Sequence, residues 1–163
     1  MERLWAPWRI QYILESKKPV SCVLCSLCKA DNDEENLIIY RGRYSFLLLN
    51  LFPYNDGHLL ISPYTHTGLF TELSSEELSD IMNVTKVAVS VLESAFHPEG
   101  YNIGMNLGSV AGAGIPDHLH MHVVPRWKGD TNFMPVLGNT KIINQQLKDS
   151  YSKLKEALDS LRL

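Results

Sequence analysis

Three histidines alternate in the run His118-Leu119-His120-Met121-His122. Imidazole changes charge near neutral pH, and its neutral form serves both as a nucleophile and as a metal ligand. At the two-residue period of a β-strand the three rings share one face, about 6.6 Å apart, while Leu119, Met121 and Val123 fall on the other. Such a strand is expected to bury its apolar side and turn the rings into a cleft. Folding alone gives no reason to align three titratable rings, so two chemistries come forward. The rings share a metal ion, or one ring attacks an electrophile while its neighbours stabilise charge. A second cluster lies upstream, where Cys22, Cys25 and Cys28 crowd together. An odd number of close cysteines makes a poor disulfide framework and a better metal or thiol cluster, which favours a reducing compartment. Cys22–Cys25 and Cys25–Cys28 have the same gap, so spacing does not choose between the pairs.

The elements that must position these groups are legible from periodicity. Leu37–Tyr40 and Tyr44–Leu49 read as a hairpin around Arg41-Gly42-Arg43. A turn-rich loop from Asn50 to Gly57 leads to a short strand, His58–Ser62, stopped by Pro63. Ser74 and Glu77 have capping-box spacing, and Leu78, Ile81, Met82, Thr85, Ala88, Leu92, Ala95 and Phe96 continue at helical spacing to the stop at His97-Pro98-Glu99-Gly100. Asn102–Leu107 is a fourth strand, the glycine-rich run Gly108–Asp117 a loop, and His118–Arg126 a fifth strand. Ile143, Leu147, Leu154, Leu158 and Leu161 mark a C-terminal docking helix over 142–162. Strands and helices without βαβ alternation predict an α+β domain: an antiparallel sheet of about five strands with one long helix and a C-terminal helix.

The chain has 163 residues, 45% of them hydrophobic, which fits one domain over 1–163 with an aromatic arm at 1–19 and a C-terminal extension at 128–163. Trp5 and Trp8 are costly to leave in water, so the arm is expected to pack on the body or on a second subunit. A formal net charge of −3 gives no basic footprint for extended nucleic acid. No apolar run reaches bilayer length, and the opening Met1-Glu2-Arg3-Leu4-Trp5 has no secretory-signal pattern, so a cytoplasmic chain without a membrane partner is expected. The acidic stretch Asp31–Asn36 reads as a solvated turn.

His118-Leu119-His120-Met121-His122-Val123-Val124 resembles the motif of the histidine triad (HIT) family, His-x-His-x-His-x-x with apolar residues at x. Asn50 ahead of Gly57-His58-Leu59-Leu60-Ile61, and the helix between, fit the same family. Leu4-Trp5-Ala6-Pro7-Trp8-Arg9 and Pro125-Arg126-Trp127-Lys128-Gly129-Asp130-Thr131-Asn132-Phe133 resemble its bacterial branch related to diadenosine tetraphosphate phosphorylases. The resemblance implies a HIT-like fold and an enzyme that cleaves dinucleoside polyphosphates at the α-phosphorus. His120 would form a nucleotidyl-histidine intermediate, His122 would contact phosphate oxygens, and His118 and His58 would brace and orient the set. Phosphate as acceptor would give ATP and ADP. The alternatives are a HIT hydrolase of dinucleoside polyphosphates or nucleoside phosphoramidates, a nucleotide-binding protein with incidental activity, and a metalloenzyme that uses the three rings as ligands.

The resemblance also places nucleotide contacts at Asn50, in the loop Gly112-Ala113-Gly114-Ile115 and at His122, with Asn106 and Trp127 flanking. Many relatives carry Gln, Ser or Thr in that loop; Gly112–Ile115 offers no side-chain donor, which leaves backbone amides. A structural zinc on Cys22, Cys25, His66 and His118 is implied, with no organic cofactor and pairing as a homodimer.

Overall fold

The capping box is present in the structure, a computed structural model that describes residues 21–130 and 146–161. The Ser74 hydroxyl accepts from the Glu77 amide at 3.2 Å, and the Glu77 carboxylate accepts from the Ser74 amide at 2.8 Å. In chain order the elements are α1 (Val23–Lys29), β1 (Ile38–Arg41), β2 (Ser45–Leu49), β3 (Leu59–Pro63), α2 (Ser75–Phe96), β4 (Gly100–Met105), β5 (Met121–Arg126) and α3 (Leu147–Ser160). α2 ends where expected, with His97 in the left-handed region at φ 47° and Pro98 behind it. The aromatic arm and the segment Thr131-Asn132-Phe133 lie outside the described residues, as do residues 142–145 of the C-terminal helical pattern.

The strands form one antiparallel five-stranded sheet in the order β1-β2-β3-β5-β4. Its two faces are filled by alternate residues of the same strands. Leu47, Leu49, Leu59, Ile61 and Val123 pack on Ile81, Val84, Ala88, Val91 and Leu92 of α2 and on Tyr151 and Leu154 of α3. Phe46, Leu48 and Leu60 face the other way, onto Leu24 of α1. With both faces covered, β2 and β3 are buried at every position and read as continuous apolar runs. His122 pairs with Leu60 in register, so its side chain shares the face opposite α2.

The structure corrects the fifth strand. It begins at Met121, and its pairing with β3 runs from Leu59↔Val123 only to Ile61↔Met121. The ladder stops because Pro63, at the end of β3, has no N–H to donate. The preceding residues bond elsewhere: the Leu119 amide donates to the Thr67 carbonyl at 2.8 Å, and the Ser62 hydroxyl to the Leu119 carbonyl at 3.0 Å. His118 and His120 therefore precede the strand and are 0% and 6% exposed, not ranged outward in a cleft. Helix α1 carries no apolar periodicity long enough to read in advance. The turn before β3 depends on Gly57, whose φ is +71° and where a Cβ would come within 2.9 Å of the Phe96 ring. No helix among the described residues is long and apolar enough to cross a membrane.

Candidate active site

The three histidines go to two different places. His118 turns its Nδ1 toward the cysteines, 3.2 Å from Cys22 Sγ, 3.4 Å from Cys25 Sγ and 3.2 Å from His66 Nδ1. Its Nε2 lies 2.9 Å from the Pro63 carbonyl oxygen, which can only accept. The ring proton is thereby held on Nε2 and the Nδ1 lone pair faces the sulfurs. Burial is the main influence that holds the His118 pKa below the ordinary histidine value, and this favours the neutral ring.

The ligand atoms of Cys22, Cys25, His66 and His118 all lie within 4.8 Å of one another. Burial first, and then the adjacent Cys22, push the Cys25 thiol up, so two neighbouring thiolates are disfavoured without a cation between them. Two sulfurs and two imidazole nitrogens converging in this way fit a tetrahedral divalent ion such as zinc. α1 supplies the cysteines, with Cys22 at its N-cap and Cys25 on its first turn. Cys28 is turned away and donates to the Cys25 carbonyl at 3.4 Å, so the choice of pair that spacing left open falls on Cys22 and Cys25. Among the described residues this is the one such cluster, and it takes His118 but neither His120 nor His122. A metal shared by all three rings is excluded by that geometry.

His120 and His122 stand together, ring centroids 5.1 Å apart. His120 Nδ1 is 2.9 Å from the His118 carbonyl, again an acceptor only, so its proton sits on Nδ1 and its lone pair on Nε2. His122 Nδ1 lies 3.0 Å from Nε2 of His58, which is fully buried one residue before β3. His58 Nδ1 receives the Tyr54 main-chain N–H at 3.0 Å and lies 3.2 Å from Asn50 Nδ2. A main-chain N–H can only donate. His58 therefore carries its proton on Nε2 and donates it to His122 Nδ1, which leaves the His122 proton on Nε2. Tyr54 stacks on His122 at 5.6 Å between ring centroids.

His122 opens onto a cavity of about 430 Å³ between the loop at Tyr54 and Asn55 and strand β4, with Asn102, Gly104, Asn106 and Arg126 on its walls. Of the flanking residues singled out in the sequence, Asn106 is at this cavity. Asn50 is not on its walls: it bonds His58 and receives the Phe52 amide at 3.0 Å. Trp127 is also elsewhere, its indole N–H on the Phe96 carbonyl at 3.4 Å. In the glycine-rich loop the amides of Gly112 and Ala113 donate to the Ser109 and Gly108 carbonyls, and Ile115 packs against the core around Leu24.

Sequence reasoning passed over Tyr54, Asn55 and Asp130. Asn55 is 7% exposed, with Nδ2 2.9 Å from both the Pro125 carbonyl and Asp130 Oδ2. Asp130 also pairs with Arg126, at 2.6 Å and 2.8 Å. An amide in a turn-rich loop looks like turn chemistry, and no local signal ties it to a carboxylate so far along the chain.

A histidine at a cavity, oriented by a buried second histidine and standing beside a third, with a cysteine–histidine cluster on the same segment, defines a class, and comparison with known proteins gives the same one. Residues 31–129 match the HIT domain model, and the chain belongs to that family. It is 38% identical over 157 residues to AP-4-A phosphorylase of Mycobacterium tuberculosis, an alignment that covers 92% of this chain and 80% of the relative. It is 33% identical over 93 residues to the bis(5'-nucleosyl)-tetraphosphatase [asymmetrical] of Schizosaccharomyces pombe, covering 57% of this chain and 50% of that one. The crystal structure of a Zn-bound histidine triad family protein from Mycobacterium smegmatis superposes with a TM-score of 0.71 at 29% identity, over 87% of this chain and 96% of its own. The chain is a HIT-family enzyme.

Proposed function

We propose that this enzyme cleaves dinucleoside polyphosphates, diadenosine tetraphosphate among them, by passing a nucleotidyl group through His120. One observation carries the reading: the His118 carbonyl holds the His120 proton on Nδ1, so the Nε2 lone pair is available beside His122. In the first step Nε2 forms a bond to the α-phosphorus and the bridging P–O bond breaks. The electron pair leaves with ATP, and the imidazole becomes an N-nucleotidyl cation. The Nδ1–H of that cation points at a carbonyl oxygen 2.9 Å away, which stabilises the positive charge as it develops. His122 Nε2–H donates to a phosphate oxygen as negative charge spreads over the transferred group. In the second step an oxygen of inorganic phosphate attacks the same phosphorus, the N–P bond breaks, and ADP leaves. With water as acceptor the product is AMP.

Phosphorolysis is preferred because the phosphorylase relative aligns over most of this chain, whereas the tetraphosphatase aligns over little more than half. The cavity at Asn106 is where the nucleotide would lie; Asn50 would act on it only through its contact with His58, and Trp127, bonded to the Phe96 carbonyl, lies off its walls. The loop Gly112-Ala113-Gly114-Ile115 would contact phosphate through those amides that its own turns do not use. Cys22, Cys25, His66 and His118 would hold a structural zinc, which when bound supplies no chemistry beyond bracing the segment that carries His120. Pairing with a second copy is supported by the sheet edge at β4, which presents the exposed Ile103, with Leu107 and Val110 just beyond it. A reducing cytoplasm suits the three free cysteines.

The test is to incubate the protein with diadenosine tetraphosphate with and without phosphate and to identify the partner of ATP. ADP that requires phosphate supports phosphorolysis; AMP in both cases overturns it in favour of hydrolysis. Sedimentation of a monomer at micromolar concentration would remove the pairing.

A further inference from the structure

The proton on His122 Nε2 is set at a distance. Nothing in the His58–His122 contact itself decides which ring donates, because each imidazole nitrogen can play either part. The direction is decided at His58 Nδ1, which Asn50 Nδ2 approaches to 3.2 Å, its own side-chain carbonyl held by the Phe52 amide, and which the Tyr54 main-chain N–H meets more closely, at 3.0 Å. That amide belongs to a loop that must be held still for the distance to persist. The loop is pinned through Asn55. Its carbonyl accepts the His58 amide at 3.2 Å, and its buried side-chain N–H groups reach the Pro125 carbonyl and Asp130 Oδ2, each at 2.9 Å. Asp130 in turn bonds the Arg126 guanidinium and the Trp127 amide at the end of β5. His122 lies on that strand, so the anchor and the ring it serves share one rigid element.

We propose that Asn55 is a positioning residue for the histidine pair: by fastening the Tyr54 turn to Pro125 and Asp130 it holds the Tyr54 amide on His58 and so keeps His122 as a donor at Nε2. No proton moves in this arrangement; it selects one of two neutral tautomers before substrate arrives. The alternative tautomer of His122 would present a lone pair to a phosphate oxygen, and the contact would become repulsive. The functional half of the proposal rests on His122 as the donor to the phosphate chain, whereas the tautomer itself does not depend on what the substrate is.

Two-dimensional 15N–1H correlation of the imidazoles, at a pH where the rings are neutral and without substrate, reads the tautomers directly. In the unaltered protein His58 and His122 are each expected to show a protonated Nε2 and a bare Nδ1; a protonated Nδ1 on His122 overturns the proposal at once. Asn55→Asp, nearly the same shape, replaces a donor with a carboxylate facing a carbonyl and a second carboxylate. It should turn the His122 signals into a tautomer mixture. It should also lower kcat on the order of tenfold to a hundredfold, the scale on which misplaced general acids and wrong tautomers act, with KM changed less than about threefold. Unchanged His122 signals in a folded Asn55→Asp protein also overturn it, whatever happens to kcat. If that variant does not fold, the unaltered protein's spectrum still decides the tautomer, and Asn55→Ser, which keeps a shorter donor, carries the kinetic comparison. Correct tautomers in a protein that turns over no dinucleotide would leave the assignment standing and remove the proposed substrate instead.

Discussion

Two corners of this molecule use the same residue in opposite ways. At the cysteine corner the Pro63 carbonyl takes the Nε2 proton of His118 and exposes its Nδ1 to sulfur. Two residues on, the His118 carbonyl takes the Nδ1 proton of His120 and exposes Nε2. Both distances are 2.9 Å, and both acceptors are main-chain oxygens. Alternation along the chain thus does not give three equivalent rings. It gives one ring suited to a closed metal site and one suited to attack, divided by which nitrogen a carbonyl happens to meet. A nucleophile needs a lone pair beside a space for substrate, while a ligand needs one pointed into the body of the protein.

The sharpest way to break this division is at His120. His120→Asn is expected to lower turnover of diadenosine tetraphosphate at least a thousandfold, since the covalent route is lost and only binding and oriented donors remain. Metal content and melting temperature should stay as in the unaltered protein. A loss below about tenfold would remove His120 from the nucleophile role. His122→Asn comes next, on the order of a hundredfold to a thousandfold in kcat, the range found when one preorganised donor to developing charge is deleted. Single-turnover kinetics should show it slowing formation of the nucleotidyl adduct.

The other corner should respond in the opposite currency. Cys22→Ser should lower stability more than turnover per folded molecule, and a chelator should do the same to the unaltered protein. If zinc is present at about a thousand times its dissociation constant, its removal costs about 4 kcal/mol. Thermal unfolding alongside metal analysis reads both. A variant with unchanged melting temperature and unchanged zinc content would mean that the cluster holds no ion, and the comparison would reduce to one functional corner.

How much of this was legible beforehand follows from the range of the interactions. The long helix was readable to within a residue at each end because its capping box and its stop are local chemistry: Ser74 with Glu77, and His97 with Pro98. The histidine motif and the cysteine spacing were legible as chemistry, and the family likeness singled out His66 from a distance in sequence. The face occupied by each ring was not legible. Period two assumes a ladder throughout, and the ladder fails at Pro63, so His118 and His120 obey carbonyl partners that the pattern does not encode. Asn55 and Asp130 were invisible for a related reason. Their bond joins a loop to the far end of β5, and nothing in either local stretch distinguishes that pair from surface polar residues.

The smallest effect tests how far the cysteine corner depends on the helix beneath it. Glu77 not only caps α2; its carboxylate also accepts from the Thr65 hydroxyl, next to His66 of the cysteine–histidine cluster. That hydroxyl first, and then the Ser74 amide, hold the Glu77 carboxyl below its ordinary range. A folded value below the unfolded one gives stability that is complete above the unfolded carboxylate value and is lost as pH falls through the folded one. The difference in stability between the unaltered protein and Glu77→Gln should therefore be constant near neutrality and shrink below about pH 4. Ser74→Ala, which removes the reciprocal half of the cap, should cost about 1 kcal/mol near neutral pH. Because the cap touches neither His120 nor His122, turnover per folded molecule should not change with either substitution. Chemical denaturation across pH checks the first expectation and steady-state kinetics the second. A fall in kcat with intact metal content would mean that the two corners communicate through Thr65 and His66, and the division of labour between His118 and His120 would be less complete than their hydrogen bonds imply.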